Sequence, residues 1–386
     1  MKRTLLTMFL VVAAVSCSRV DRADHGSAAP STESSSLKLQ ADGGSQSGAT
    51  NPLPPPKNES QTNIDKGLAH LIALQLPEGG WKNDVGMKIG EGYVPEQRGI
   101  SHVGVSALCL MALMANGHTP QSGAYKPNVE KGLEYICSLA GRSGYINANS
   151  TRMRSHALAT QCLAIAASCG GSKKCREVLT KAVNYIVEVQ VKDQENIPGG
   201  WRYEPRQHDA DILNVTHQIL ALDQAIQVGA KVPPETMELA GKYIAKCYSA
   251  TEQVFTYQCV FRYDRSSFCT NAAGTLAYLL TRTDGTTNVD LAAMVNVLTT
   301  QRPDRVEGFE ANKCNFGYWI GQYFASCALK RYLAEDTVAW DTWRKVNHSR
   351  LPLLQQPNGA WIDEIGSFDP KTNAYATAMA CLVLSQ

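Results

Sequence analysis

From Asn63 onward, apolar residues return at steps of three and four, the period of one face of an α-helix. Ile64, Leu68, Leu71 and Ile72 show the pattern first, and similar stripes begin near Asn128, Leu179, Met237, Leu291 and Trp340. They predict six amphipathic helices. Between them lie six stretches richer in alanine, glycine, serine and cysteine: Val103–Ala115, Ser155–Ala167, Val215–Val228, Asn271–Leu280, Gly321–Tyr332 and Asn373–Leu384. Small side chains let helices approach closely around a shared axis, so these are expected to form an inner layer. Asn63-Ile64-Asp65-Lys66-Gly67-Leu68 is echoed by Asn128-Val129-Glu130-Lys131-Gly132-Leu133, which makes the chain a repeat of helix pairs. One pair cannot bury its stripe alone. Six stacked pairs can close into a ring with no exposed end.

The N-terminus is a different material. Lys2 and Arg3 precede an apolar run from Leu5 to Val15 that closes on Ser16-Cys17, the layout of a secretory signal over residues 1–17. The run is too short to span a bilayer. Ala14-Val15-Ser16-Cys17 resembles a bacterial lipobox, which implies lipidation at Cys17 and anchorage at the cell envelope, with simple secretion as the alternative. Residues 18–62 are rich in serine, proline and glycine and are expected to be a disordered linker. The folded body is expected over 63–386. A net charge of +2 gives no reason to expect nucleic acid as a partner. Of the 12 cysteines, setting Cys17 aside leaves an odd number, so at least one thiol stays unpaired. Cys169 with Cys175, and Cys259 with Cys269, bracket short polar turns and could form local disulfides. Cys109, Cys162, Cys327 and Cys381 read as small buried hydrophobes.

Short connections carry an aromatic residue after glycine, as in Gly79-Gly80-Trp81, Gly144-Tyr145, Gly199-Gly200-Trp201 and Gly359-Ala360-Trp361. Gln75-x-x-x-Gly79-Gly80-Trp81 and Gln356-x-x-Gly359-Ala360-Trp361 resemble the glutamine-tryptophan motifs of squalene-hopene and oxidosqualene cyclases. Pro198-Gly199-Gly200-Trp201-Arg202-Tyr203, followed by an acidic cluster, looks like the stretch around the catalytic acid of those enzymes. Ser155-His156-Ala157-Leu158-Ala159-Thr160 and Tyr375-Ala376-Thr377-Ala378 look like other segments of the prenyltransferase and squalene oxidase repeat family. The resemblance covers the body and implies an all-α fold, an α/α toroid of six inner and six outer helices. It implies a short, secreted, single-toroid member.

The chemistry that the resemblance implies is protonation of an isoprenoid by an aspartic acid, then ring closure through carbocations shielded by aromatic faces. Asp209-Ala210-Asp211-Ile212 is the nearest sequence to the family's acid motif, with Asp211 as the acid and Asp209 as its modulator. Counting back from Ala221-Leu222 instead puts Leu213 at the acid position. Asp209 and Asp211 also suit the cap of the helix that follows. His102, His156 and His217 fall near the starts of successive inner helices. With Tyr318, Trp319, Tyr323 and Phe324 they are candidates for contact with an apolar small molecule. No metal-ligand spacing and no cofactor motif is visible. Two alternatives stand beside the cyclase-type isomerase: a non-catalytic lipid- or protein-binding toroid, and a six-hairpin-barrel glycosidase. The last needs two opposed carboxylates, which Glu204, Asp209, Asp211, Asp363 and Glu364 could supply.

Overall fold

The computed structural model describes residues 59–89, 92–192, 198–259, 266–281, 289–300, 317–363 and 373–386. Cys17, Glu364 and almost all of the linker lie outside these residues. Within them twelve α-helices alternate between two layers. The first pair is α1 (Glu59–Leu74) outside and α2 (Val103–Ala115) inside, followed by α3 (Lys126–Ser138) with α4 (Arg152–Ser168) and α5 (Lys173–Glu188) with α6 (Ile212–Gln227). The chain continues with α7 (Pro234–Lys246) and α8 (Phe268–Thr281), α9 (Leu291–Thr300) and α10 (Tyr318–Tyr332), then α11 (Thr337–Arg350) and α12 (Ala374–Leu384). Helix α1 reaches back into the stretch read as linker.

Inner helices touch in the order α2, α4, α6, α8, α10, α12 and back to α2, so the ring closes. The two layers differ as their sequences do. Every residue from Val103 to Met114 is buried, because α2 is covered on all sides, whereas α5 buries a stripe of Cys175, Val178, Leu179, Ala182, Val183, Tyr185 and Ile186.

Two antiparallel hairpins depart from the all-helical expectation: β1 (Lys82–Ile89) with β2 (Gly92–Ser101), and β3 (Tyr248–Ser249) with β4 (Val254–Phe255). A search for helical periods passes over segments this short. The first hairpin is held by the Asp84 carboxylate, which accepts the Gly99 N–H at 2.7 Å.

At three described seams, successive pairs are joined by a three-part clamp. Trp81, Trp201 and Trp361 are buried, and their indole N–H groups donate to the carbonyls of Leu71, Ile186 and Leu351 at 2.7, 2.9 and 2.7 Å. Each ring is thereby fixed to the end of its own outer helix or the short 3₁₀ turn after it. The glycine two residues before the tryptophan has positive φ in each case, and the backbone there packs onto the next outer helix. A Cβ on Gly79 would lie 2.5 Å from the Lys131 carbonyl oxygen, on Gly199 2.0 Å from that of Leu239, and on Gly359 2.5 Å from that of Lys66. Gly144, before Tyr145, meets Lys181 in the same way. A glutamine completes the clamp. Gln75 donates to the carbonyls of Gly79 and Asn128, Gln190 to Gly199 and Thr236, and Gln355 to Gly359 and Asn63, all between 2.8 and 3.1 Å. In the last repeat the working residue is Gln355, not Gln356 as the sequence motif suggests. Gln356 instead uses its backbone N–H on the Ala360 carbonyl. The last clamp seizes α1, which seals the ring.

Gly199→Ala is expected to cost at least about 3 kcal/mol, because the strained φ is compounded by collision with the Leu239 backbone. Gly229→Ala, with similar φ but open space, is expected to cost about 1 kcal/mol. Urea unfolding of the two variants checks this, and equal losses would remove the close approach as the cause.

Candidate functional site

Among the described residues, the stretches 75–89, 92–102, 139–151, 198–211, 247–259 and 355–363 lie between an outer helix and the inner one that follows it. The reverse connections are short. The outer-to-inner stretches gather at one end of the ring, its mouth, where the inner helices begin, and candidate chemistry collects there.

Asp211 is the N-cap of α6 and is fully buried. Its Oδ1 accepts the Asn214 backbone N–H at 3.0 Å, and its Oδ2 accepts Asn214 Nδ2 at 2.6 Å and Arg202 Nη1 at 2.8 Å. Every one of these bonds is accepted, which is how a carboxylate bonds rather than a proton donor. Asp209 takes the other edge of the same guanidinium, with Oδ2 3.1 Å from Arg202 Nε. The Arg202 guanidinium lies over the rings of Tyr203 at 4.4 Å and Tyr257 at 5.7 Å. The two tyrosine hydroxyls are 2.6 Å apart. Burial works against the charge of Arg202, but Asp211, Tyr257, Tyr203 and Asp209 outweigh it and raise its pKa further. Burial, Asp211 and Tyr203 push the Tyr257 phenol up.

Deeper in the ring stand two groups of another kind. His217 on α6 is buried, and neither ring nitrogen has a hydrogen-bond partner among the described residues. Burial, then the charge of Arg154, holds its pKa well below the ordinary value, so the ring is neutral and offers one N–H and one lone pair. Arg154 on α4 is held cationic against burial by Tyr203, Asp211, Tyr257 and Tyr375, and its Nε also lacks a partner among the described residues. Below them the axis is bridged. Gln161 on α4 donates to the Tyr323 hydroxyl on α10, the helix opposite, at 3.1 Å, and His217 and Phe324 have ring centroids 5.0 Å apart. Gln218 ties α6 to α4 through the Met153 carbonyl at 3.0 Å.

The three histidines named from the sequence do not converge. His102 caps α2, its Nδ1 accepting the Val105 N–H at 3.2 Å. His156 turns outward, where Nδ1 accepts the Ile146 N–H at 3.1 Å, Nε2 lies 3.3 Å from the Ala182 carbonyl, and Tyr145 and Tyr185 pack on the ring. Only His217 faces the axis. Tyr323 and Phe324 are with it, while Trp319 is tied to the Ile362 carbonyl at 3.3 Å and stacks edge-on with Tyr318. Glu204 pairs with Arg152 at 2.8 Å, and Asp363 is buried within electrostatic reach of Tyr375. The suggested cysteine pairings are also redrawn: the Cys175 thiol lies against Cys137, and Cys259 shares a hydrogen bond with Cys247.

Sequence reasoning passed over Arg154 and Arg202. The available signal was an arginine at the entrance of an inner helix otherwise made of small and apolar residues.

No protein-family model matches the sequence, and no curated relative matches it. Solved structures do match. A family 76 glycoside hydrolase, the α-1,6-mannanase of Salegentibacter sp. HEL1_6, superposes with a TM-score of 0.63 at 10% identity, covering 85% of this chain and 99% of that one. That structure is of an inactive variant with two aspartates replaced, in complex with α-1,6-mannotriose. D-mannose isomerase gives 0.55 at 13% identity, covering 87% and 99%. The type II terpene cyclase MstE from Scytonema, in complex with geranylgeranyl dihydroxybenzoate, gives 0.51 at 14% identity, covering 85% and 97%. Likeness at this identity is one of fold, and the protein is an α/α toroid.

Burial pushes the pKa of His156 down to about 3. The unfolded chain takes up this proton near its ordinary value, about 6.5, whereas the native state resists until far lower pH. The stability from neutral His156 is therefore complete above pH ~6.5 and is lost as pH falls, at up to about 1.4 kcal/mol per unit. His156→Gln is expected to flatten that part of the slope in urea unfolding between pH 7 and pH 4.5. An unchanged slope contradicts the assignment.

Proposed function

We propose that the mouth of the ring binds a hydroxyl-rich ligand of the carbohydrate class, which makes the protein a carbohydrate-active α/α toroid. The observation that carries this reading is His217, a buried imidazole facing the axis beside Arg154, with both nitrogens unpartnered among the described residues. Leaving such a group unmatched costs about 1–3 kcal/mol, which a ligand hydroxyl that both gives and accepts a hydrogen bond recovers. Arg154 adds donors, and Tyr203 and Tyr257 add a flat polar edge of the kind that sugars pack against. Sugar-handling proteins among the structural neighbours agree with it. If a glycosidic bond is cut here, the carboxylates available among the described residues are Asp209, Asp211 and Asp363. Asp209 and Asp211 already share Arg202, so one must exchange partners to give up a proton.

A second reading, an isoprenoid cyclase-type isomerase, is favoured by the aromatic floor of Tyr323 and Phe324, suited to a carbocation. It asks Asp211 to act as an acid. Release of Arg202 and of the α6 cap would have to come first. Anchorage through Cys17 would place either activity at the cell envelope.

Titration calorimetry with α-1,6-mannotriose and with a geranylgeranyl ligand separates the two. Saccharide binding that weakens at least tenfold in Arg154→Met and in His217→Phe is expected. Binding of the isoprenoid alone, with turnover lost in Asp211→Asn, would overturn the carbohydrate reading.

A further inference from the structure

At the seam between the second and third outer helices the clamp is incomplete. Gln75 and Gln190 stand at one offset from the carbonyl residues Lys66 and Lys181 that the clamping glycines meet. At the same offset from Lys131 the chain has Ala140, which cannot donate to a neighbouring carbonyl. Gly144 still packs on the Lys181 carbonyl, so the backbone approach survives without its glutamine. Across this seam two thiols meet instead. Cys137, in the last turn of α3, and Cys175, in the first turn of α5, are both buried with their sulfurs 3.7 Å apart.

We propose that Cys137 and Cys175 are a modification site, closed to a disulfide by thiol–disulfide exchange with a disulfide-bearing oxidant, so that a covalent bond stands where the seams of Gln75, Gln190 and Gln355 have glutamine. Closing the pair needs the sulfurs to approach from 3.7 Å to about 2.05 Å, within reach of side-chain rotation. The two thiols are not equivalent. Cys175 receives hydrogen bonds from the Cys137 thiol and the Ser172 hydroxyl, the latter at 3.3 Å, and lies near Lys174 at a helix N-terminus. The Cys137 bond first, opposed by burial, lowers its pKa, while Cys137 is pushed up.

Cys175 is therefore the attacking thiolate. Its sulfur bonds to one sulfur of the oxidant and expels the other as thiolate, leaving a mixed disulfide. Cys137 then gives up its proton and attacks the Cys175 sulfur, expelling the second thiolate. Two protein thiols are oxidised and one disulfide is reduced to two thiols. Cys169, nearer in sequence, has its sulfur 3.7 Å from the Ser168 hydroxyl, not on Cys175. Because both thiols are buried, exchange proceeds during folding or local opening rather than on the closed ring.

The full chain, refolded in glutathione with the oxidised form in excess, then denatured and alkylated, tests this by peptide mass mapping. A Cys137–Cys175 linked peptide is expected. The oxidised protein is also expected to melt about 5 °C or more above the same sample under a phosphine reductant, because the bond closes a long loop. That difference should vanish in Cys137→Ser and in Cys175→Ser. Alkylation of both cysteines after refolding, or linkage of Cys175 to Cys169 or Cys162, would overturn the assignment. So would an equal difference in melting in either serine variant. None of these readouts depends on the ligand of the mouth.

Discussion

Direct contact between a glycine backbone and the carbonyl of the next outer helix sets the geometry of the whole molecule. At Gly79, Gly144, Gly199 and Gly359 a single added carbon would fall 2.0 to 2.5 Å from a backbone oxygen, inside any tolerable contact. Helix pairs held this closely have a fixed offset. Made at these four seams, the contact ends by bringing the last repeat back to the first, where Gln355 bonds the Asn63 carbonyl and the Cys381 thiol lies 3.9 Å from that of Ile64. Glutamine and tryptophan supply what glycine lacks. They bond carbonyls that the approach buries, so that little backbone polarity is left unmatched.

The mouth inherits its character from this closure. Because the inner helices start at one end of the ring, their N-termini and the long connections converge there. Asp211 is used twice, as cap of α6 and as anchor for Arg202, and the arrangement holds Tyr203 and Tyr257 edge to edge. Arg154 and His217 sit within that frame. Neighbouring polar residues thus differ: Asp211 and Arg202 bond each other at the rim, whereas His217 and Arg154 keep atoms without a hydrogen-bond partner among the described residues.

Much of the ring was legible in the chain because its signals are local and repeated. The alternation of amphipathic and small-residue helices follows from which faces meet solvent, and the boundaries of the inner helices fall close to those read from composition. Register was harder. Gln355 and Gln356 are equally good letters, and only the position of the neighbouring α1 carbonyl chooses between them. The hairpin at residues 82–101 depends on a side chain, Asp84, folding back on Gly99, which a helical period does not report. At the site, proximity in sequence misled: Cys175 has its partner on α3, and His156 serves the outer layer although it occupies an inner-helix start as His217 does. Such pairings are set by ring geometry, across separations that no local pattern spans.

Ring closure itself is open to direct measurement by native-state hydrogen exchange at rising urea. A closed ring, with α1 locked to α12 and to the final clamp, predicts that slow amides in α1, α6 and α12 exchange together through global unfolding, at one common free energy. Exchange of α1 or α12 through a separate, lower-energy opening, as expected of the terminal units of an open solenoid, would contradict it.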